Sequence, residues 1–378
     1  MTNEYAEIRD LAAKFSDSAL APLAAEIDRQ ACIPESLVAQ LAETGFMGVF
    51  VPEEYGGAGM DYYSYSIIVE EISRACASTG VLISAHNSLA IWPILNFATE
   101  KQKKTYLPAM AAGKSIGCFC LSEPNAGSDA ASLTTFAEDK GDHYLLNGVK
   151  NFITNGKEAK IAVVFAKTEK TVDHKGISCF IVETDSPGFN VQKCEDKLGI
   201  KGSSTAQIAL ENVIVPKENL LGKLGKGFSV GLATLDGGRI GIAAQALGIG
   251  EAAFRYARKY ATERVQFGAP IARLQAIQFI LADMSTKLAA ARLLVREASL
   301  MKNSGGRYTK EAAQAKLFAS EAAMWITTKA IQVCGGNGYT KEYPVERYFR
   351  DAKITEIYEG TSEVQRLVIA ESELREMQ

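Results

Sequence analysis

His143-Tyr144-Leu145-Leu146-Asn147-Gly148-Val149-Lys150-Asn151-Phe152-Ile153-Thr154 is a β-branched and aromatic run near the middle of a 378-residue chain, and it reads as a strand. Further runs of this kind follow at 161–167, 176–183, 189–194 and 205–216. Turn residues separate them, among them Asn155-Gly156 and Ser186-Pro187-Gly188. Short strands at this spacing, with no helix between them, predict a central antiparallel β domain at about 117–225.

The flanks read differently. From the start to about residue 116, apolar positions recur every three and four residues in a background rich in Ala, Leu, Glu and Lys, which predicts helices. Pro52-Glu53-Glu54-Tyr55-Gly56-Gly57-Ala58-Gly59 interrupts them as a loop. Past the β region, Ile277, Leu281, Met284, Leu288, Ala291, Val295 and Ala298 form one apolar stripe on a long helix. Such a stripe packs against other helices, so a bundle is expected over 226–378. The fold class is therefore α+β, in three domains: 1–116, 117–225 and 226–378. A chain of 378 residues exceeds what one core usually holds, which agrees with several domains.

Composition excludes several functions. Hydrophobic residues at 47% and charged residues at 22% describe a globular protein. With 41 basic against 44 acidic residues there is no basic excess of the kind nucleic acid selects. No apolar run approaches the roughly 20 residues that span a bilayer, so no membrane insertion is expected. The opening Met-Thr-Asn-Glu-Tyr-Ala-Glu lacks the basic and apolar regions of a signal peptide, so a cytoplasmic location is expected, and a processed organellar protein would look the same. The seven cysteines form no CxxC pair, and the three histidines are scattered, so neither disulfides nor a metal site is expected.

Five segments offer chemistry. Leu121-Ser122-Glu123-Pro124-Asn125-Ala126-Gly127-Ser128-Asp129 reads as an anion- or carbonyl-binding nest or as a surface turn. Asp236-Gly237-Gly238-Arg239 reads as a capped helix start at 240–247, with Arg239 free to meet a ligand or an acid. Glu263-Arg264-Val265-Gln266-Phe267-Gly268 carries an arginine suited to a phosphate, or simply solvated. Gln332-Val333-Cys334-Gly335-Gly336-Asn337-Gly338-Tyr339 ends a helix with glycines that either admit a ligand or only turn the chain. In Ile357-Tyr358-Glu359-Gly360-Thr361-Ser362-Glu363-Val364-Gln365-Arg366, Ser362 and Gln365 have capping-box spacing, which places Glu359 in the connection before a helix. A carboxylate there, beside apolar neighbours, is either a surface group or a desolvated base of raised pKa. Neither a GxGxxG nor a GxxxxGK[ST] motif is present.

Together, in this order, the segments resemble the acyl-CoA dehydrogenase family, most of all its short-chain, butyryl-CoA members. The resemblance covers nearly the whole chain and is most specific at 117–124, 235–248 and 351–366. It implies a helical domain, a central β domain, a C-terminal four-helix bundle and a homotetramer. It implies FAD as cofactor, contacted by Phe119, Leu121, Ser122, Phe152, Ile153, Thr154, Thr361 and Glu363. Arg264, Phe267, Gln275, Gln332, Val333, Cys334, Gly335 and Gly336 would reach FAD held mainly by a neighbouring subunit. Family members often carry Trp where Phe152 stands. Ser128, Asp236, Arg239 and Gly360 would contact an acyl-CoA. Glu359 would abstract the α-proton while the β-hydride passes to flavin N5, giving the trans-2-enoyl-CoA, with an electron-transferring flavoprotein as acceptor. The thioester carbonyl would be polarised by the backbone N–H of Glu359 and a ribityl hydroxyl. In some relatives the base lies one residue before the arginine matching Arg239; here that position is Gly238, so Gly238→Glu is expected to restore part of the activity of a Glu359→Gln enzyme. The same fold also supports an enoyl-CoA reductase in an electron-bifurcating complex, or an acyl-CoA oxidase.

Overall fold

The structure, a computed structural model, describes residues 3–169 and 174–376. Its N-terminal part is built from α1 (Asn3–Phe15), α2 (Ala24–Gln30), α3 (Glu35–Glu43), α4 (Tyr62–Ala75), α5 (Ala77–Ser84), α6 (Trp92–Phe97) and α7 (Glu100–Ala111). The sequence sets these starts locally. Asp61 accepts from the Ser64 N–H at 2.8 Å and caps α4, and Thr99 with Gln102 forms a reciprocal capping box on α7. The loop expected at 52–59 is present, with one short 3₁₀ turn at Glu53–Tyr55. Almost all of α4 is buried, because it runs between the other N-terminal helices and the C-terminal bundle.

The strands are β1 (Gly117–Cys120), β2 (Phe136–Asp139), β3 (His143–Thr154), β4 (Ile161–Lys167), β5 (Ile177–Glu183), β6 (Phe189–Cys194) and β7 (Thr205–Pro216). They form one sheet in the order β1-β4-β2-β3-β7-β6, with β5 also on β4. The sheet is mixed rather than wholly antiparallel. β1 lies parallel to β4, Gly117 opposite Ile161, and β2 touches β4 in parallel as well. The β2–β3 hairpin is inserted between β1 and β4, and that long excursion returns the chain in the same direction. β2 is too short and too charged, at Glu138 and Asp139, to stand out in the sequence. Cys118 and Cys120 are fully buried neighbours on one face of β1, as alternation requires, with sulfurs 3.7 Å apart.

The last part comprises α8 (Gly227–Glu263), a small hairpin of β8 (Val265–Gln266) and β9 (Ala269–Pro270), then α9 (Gln275–Asn303), α10 (Thr309–Cys334), α11 (Val345–Lys353) and α12 (Ser362–Glu376). The stripe on α9 is buried from Met284 to Ala298 and half-buried at Ile277 and Leu281. α10 packs on α8, α9, α11 and α12. One expectation fails: α8 is continuous for 37 residues, so Asp236 lies inside a helix and caps nothing. Gly237 and Gly238 do not break it, because their bare faces are where α8 meets other elements closely, and that packing outweighs propensity. One apolar core joins α4 and α8, through Ile68 and Tyr65 on one side and Ile240 and Ala243 on the other.

Candidate active site

Glu359 stands in the short link between α11 and α12, in the left-handed region at φ 52, followed by Gly360 at φ 91. For a residue with a side chain that conformation costs about 1–2 kcal/mol, so the surroundings must hold it. Gln365 Nε2 donates to the carbonyls of Glu359 (3.2 Å) and Gly360 (2.8 Å), and Lys316 Nζ, from α10, donates to the Gly360 carbonyl at 2.7 Å. The helix does begin at Ser362, but the cap is Thr361, whose Oγ1 accepts from the Val364 N–H at 3.3 Å. Gln365 turns its amide to the strained carbonyls instead of closing a box with Ser362.

This link drives the Glu359 carboxyl against α8. Oε2 is buried and has no hydrogen-bond partner among the described residues. Burial pushes its pKa up to about 8, against the opposing pull of Lys316 and Arg239. A Cβ on Gly238 would lie 2.1 Å from that oxygen and 2.8 Å from Leu89 Cδ2, so only glycine leaves room for the carboxyl. One turn on, a Cβ on Gly241 would meet Tyr65 Oη at 2.3 Å and Ser84 Oγ at 2.5 Å. Tyr358 donates to Gln245 Oε1 on the same helix. The buried Arg239 pairs with Asp236 at 2.5 Å, and Thr309 donates to the other Asp236 oxygen at 2.8 Å. Arg239 Nε has no partner among the described residues. Glu359, Gly360, Asp236 and Arg239 are thus brought to one place.

A second group gathers on the β domain. The Asn151 N–H donates to the Ser122 carbonyl at 2.9 Å, fastening the 121–129 segment to β3. A register shift between Lys150 and Ile153 bulges β3, and Phe152 takes φ 57 and is 64% exposed while Ile153 stays buried. Phe119 packs edge-on to Phe165, Leu121 is buried, and Ser122 and Thr154 are half-buried. Ser128 is exposed at the far end of the segment. Beneath it Glu123 and Lys150 form a buried ion pair at 2.8 Å.

The third group lies at a corner of the bundle. Arg264 follows α8 directly, and Phe267 (φ 53) is 93% exposed in the β8–β9 turn. Gln275 is exposed at the start of α9. At the end of α10, Val333 and Cys334 are buried while Gln332, Gly335 and Gly336 face outward. Asn337 donates to Tyr260 Oη at 2.9 Å, which ties this end to α8. Thr361 is half-buried and Glu363 exposed on the first turn of α12. The sequence reading missed Lys316 and the Glu123–Lys150 pair; the one available signal was a lysine within the Ala-rich face of α10.

Family profiles match the chain along its length: "Acyl-CoA dehydrogenase, N-terminal domain" over residues 2–114, "middle domain" over 118–213 and "C-terminal domain" over 225–374. The mitochondrial short-chain specific acyl-CoA dehydrogenase of Mus musculus is 52% identical over 368 residues, covering 97% of this chain and 89% of that protein. The butyryl-CoA dehydrogenase structure from Megasphaera elsdenii superposes with a TM-score of 0.97 at 46% identity, covering 99% of each chain. A chain solved in work on the electron transferring flavoprotein of Acidaminococcus fermentans and flavin-based electron bifurcation superposes with a TM-score of 0.98 at 51% identity, again covering 99% of each chain. The chain belongs to the acyl-CoA dehydrogenase family, FAD-dependent enzymes of fatty acid β-oxidation. No helix among the described residues is long and apolar enough to cross a membrane.

Proposed function

We propose that the chain oxidises short-chain acyl-CoA thioesters to trans-2-enoyl-CoA, with Glu359 as the base and an electron-transferring flavoprotein as acceptor. The observation that carries this is the buried, unpartnered Glu359 Oε2 against the bare face of Gly238. A general base needs a carboxyl that burial has strengthened and that no other donor claims. The Glu359 N–H also has no acceptor among the described residues, which leaves it for a thioester carbonyl. That hydrogen bond would stabilise the enolate-like charge as the α-proton leaves. Ser128, Asp236, Arg239 and Gly360 would contact the acyl-CoA.

Two features of the chain fit FAD. Phe152 presents a bare ring from a strained bulge, beside the buried, unpartnered Asn151 Oδ1. Gly335 and Gly336 leave open space where a side chain would begin. Phe119, Leu121, Ser122, Phe152, Ile153, Thr154, Thr361 and Glu363 would hold it, with Arg264, Phe267, Gln275 and residues 332–336 reaching a neighbouring subunit's FAD in a homotetramer. FAD supplies the acceptor for the β-hydride. Tyr65, Ser84 and Tyr358, the last through Gln245, crowd α8 within two turns of Gly238, which supports a short acyl chain. The likeness to a chain studied with electron bifurcation favours, as second reading, the reverse reaction; activity that requires NADH and ferredoxin would select it.

The test is Glu359→Gln beside wild type, with kcat/KM measured from C4 to C16 acyl-CoAs. Wild type should prefer C4 to C6. The variant should keep FAD and fold and lose at least the roughly 10²–10⁴-fold that a general base supplies. Near wild-type turnover of butyryl-CoA by the variant would overturn the assignment of the base, and a C16 optimum would overturn the substrate class.

A further inference from the structure

Lys316 is fully buried in α10, among Ala312, Ala313, Ala315 and Ala319. A lysine in such a position is rare unless something repays its desolvation. Its ammonium has three protons to donate, yet the one hydrogen bond it makes is to the Gly360 carbonyl at 2.7 Å, and no carboxylate lies within ion-pair distance among the described residues. That carbonyl belongs to the residue after Glu359, in the turn that carries two consecutive left-handed residues.

We infer that Lys316 is a positioning residue for the proton-abstracting group: its ammonium ties the Glu359–Gly360 turn to α10 and sets positive charge opposite the Glu359 carboxylate. The inference rests on Glu359 being the base. Several ionisable groups face Glu359. Lys316 comes from α10, Arg239 from α8, Tyr62 and Tyr65 from α4, and Tyr358 from its own link. Burial holds the three tyrosines neutral, well above their ordinary range, so Lys316 and Arg239 supply the positive charge. Arg239 already shares its charge with Asp236 at 2.5 Å, whereas Glu359 is the acid that acts most on Lys316, ahead of Glu356 and Glu363. Burial pushes the Lys316 amine down to about 8 while Glu359 pulls it back up, so the two charges favour each other.

The hydrogen bond and the charge can be separated. Lys316→Gln keeps a donor for the Gly360 carbonyl and removes the charge; Lys316→Met removes both. The readouts are FAD content, the pH profile of kcat/KM with butyryl-CoA, and an infrared titration of the protonated carboxyl band, assigned by its loss in Glu359→Gln. In Lys316→Gln, FAD content should match wild type, and both the acid limb and the carboxyl band should titrate higher, by about one pH unit, because the loss of a nearby cation raises a carboxyl by that order. At pH 7 this is roughly a tenfold loss that fades as the pH rises above the limb. Lys316→Met should lose activity at every pH, because the turn is also released. An acid limb and carboxyl band unmoved in Lys316→Gln would overturn the inference, as would equal, pH-independent losses in both variants. If Glu359→Gln itself stays active, the fault lies in the choice of base.

Discussion

The Lys150→Met substitution tests how the segment proposed to contact the flavin is held. Glu123 accepts from the Thr134 N–H (2.6 Å), Thr134 Oγ1 (2.8 Å), the Thr135 N–H (2.9 Å) and Lys150 Nζ (2.8 Å), and Lys150 also donates to the Leu121 carbonyl at 3.3 Å. Both side chains are almost wholly buried. Burial alone would raise the Glu123 carboxyl, but Lys150 and the threonine donors outweigh it and bring the pKa to about 2. Relative to an ordinary 4.5, the folded chain therefore favours the ionised carboxylate. Since the folded pKa is the lower one, this stability is present above about pH 4.5 and is lost as the pH falls toward 2. Lys150→Met strands the carboxylate in the interior, so it should cost about 3–5 kcal/mol in urea unfolding at pH 7 and release FAD more readily, because Leu121 and Ser122 lose their anchor. Adding Glu123→Gln should recover much of the loss, since the pair itself contributes little beyond neutralising its own burial. Two results would refute the reasoning: a Lys150→Met protein within 1 kcal/mol of wild type, or a double variant as unstable as the single one.

Gly238→Ala sits in a helix, where alanine is worth up to about 1 kcal/mol over glycine, yet its Cβ would lie 2.1 Å from Glu359 Oε2. It should therefore leave the thermal midpoint and FAD content near wild type while kcat/KM falls about 100-fold or more; full activity would show that the carboxyl has another place to go. The same contact corrects the expected rescue: Gly238→Glu in Glu359→Gln meets the amide left at 359, so recovery is expected only with Glu359→Gly, measured as butyryl-CoA turnover. His86 is buried, with Nδ1 accepting from the Gly117 N–H (2.9 Å) and the Met110 carbonyl 3.1 Å from Nε2, and burial lowers its pKa to about 4. Its contribution is complete above about pH 6.5 and is lost as the pH falls toward 4, about 3 kcal/mol in all. Urea midpoints over that range should decline in wild type and flatten in His86→Gln.

How much could be read in advance followed the range of the interactions. The strands at 161–167 and 205–216 announced themselves because β-branched content and turn residues are local signals, and the α9 stripe did so because a helix repeats its burial every few residues. The parallel pairing of β1 with β4 was hidden, since nothing within Gly117–Cys120 encodes which strand returns beside it. Asp236 misled because a capping residue followed by two glycines has the local signature of a helix start, while the reason for the glycines lies across the chain in Glu359 and Tyr62. The buried lysines make the same point about the site. Lys150 and Lys316 look like any surface lysine until the carbonyl each one serves is known, and those carbonyls stand 29 and 44 residues away, at Leu121 and Gly360. A base can be nominated from its neighbours in sequence, because desolvation begins with the residues beside it. What gives it a defined position and charge comes from elements that meet it only in the folded chain. Substitutions at Lys316 and Gly238 therefore separate a carboxyl that is merely present from one that is poised.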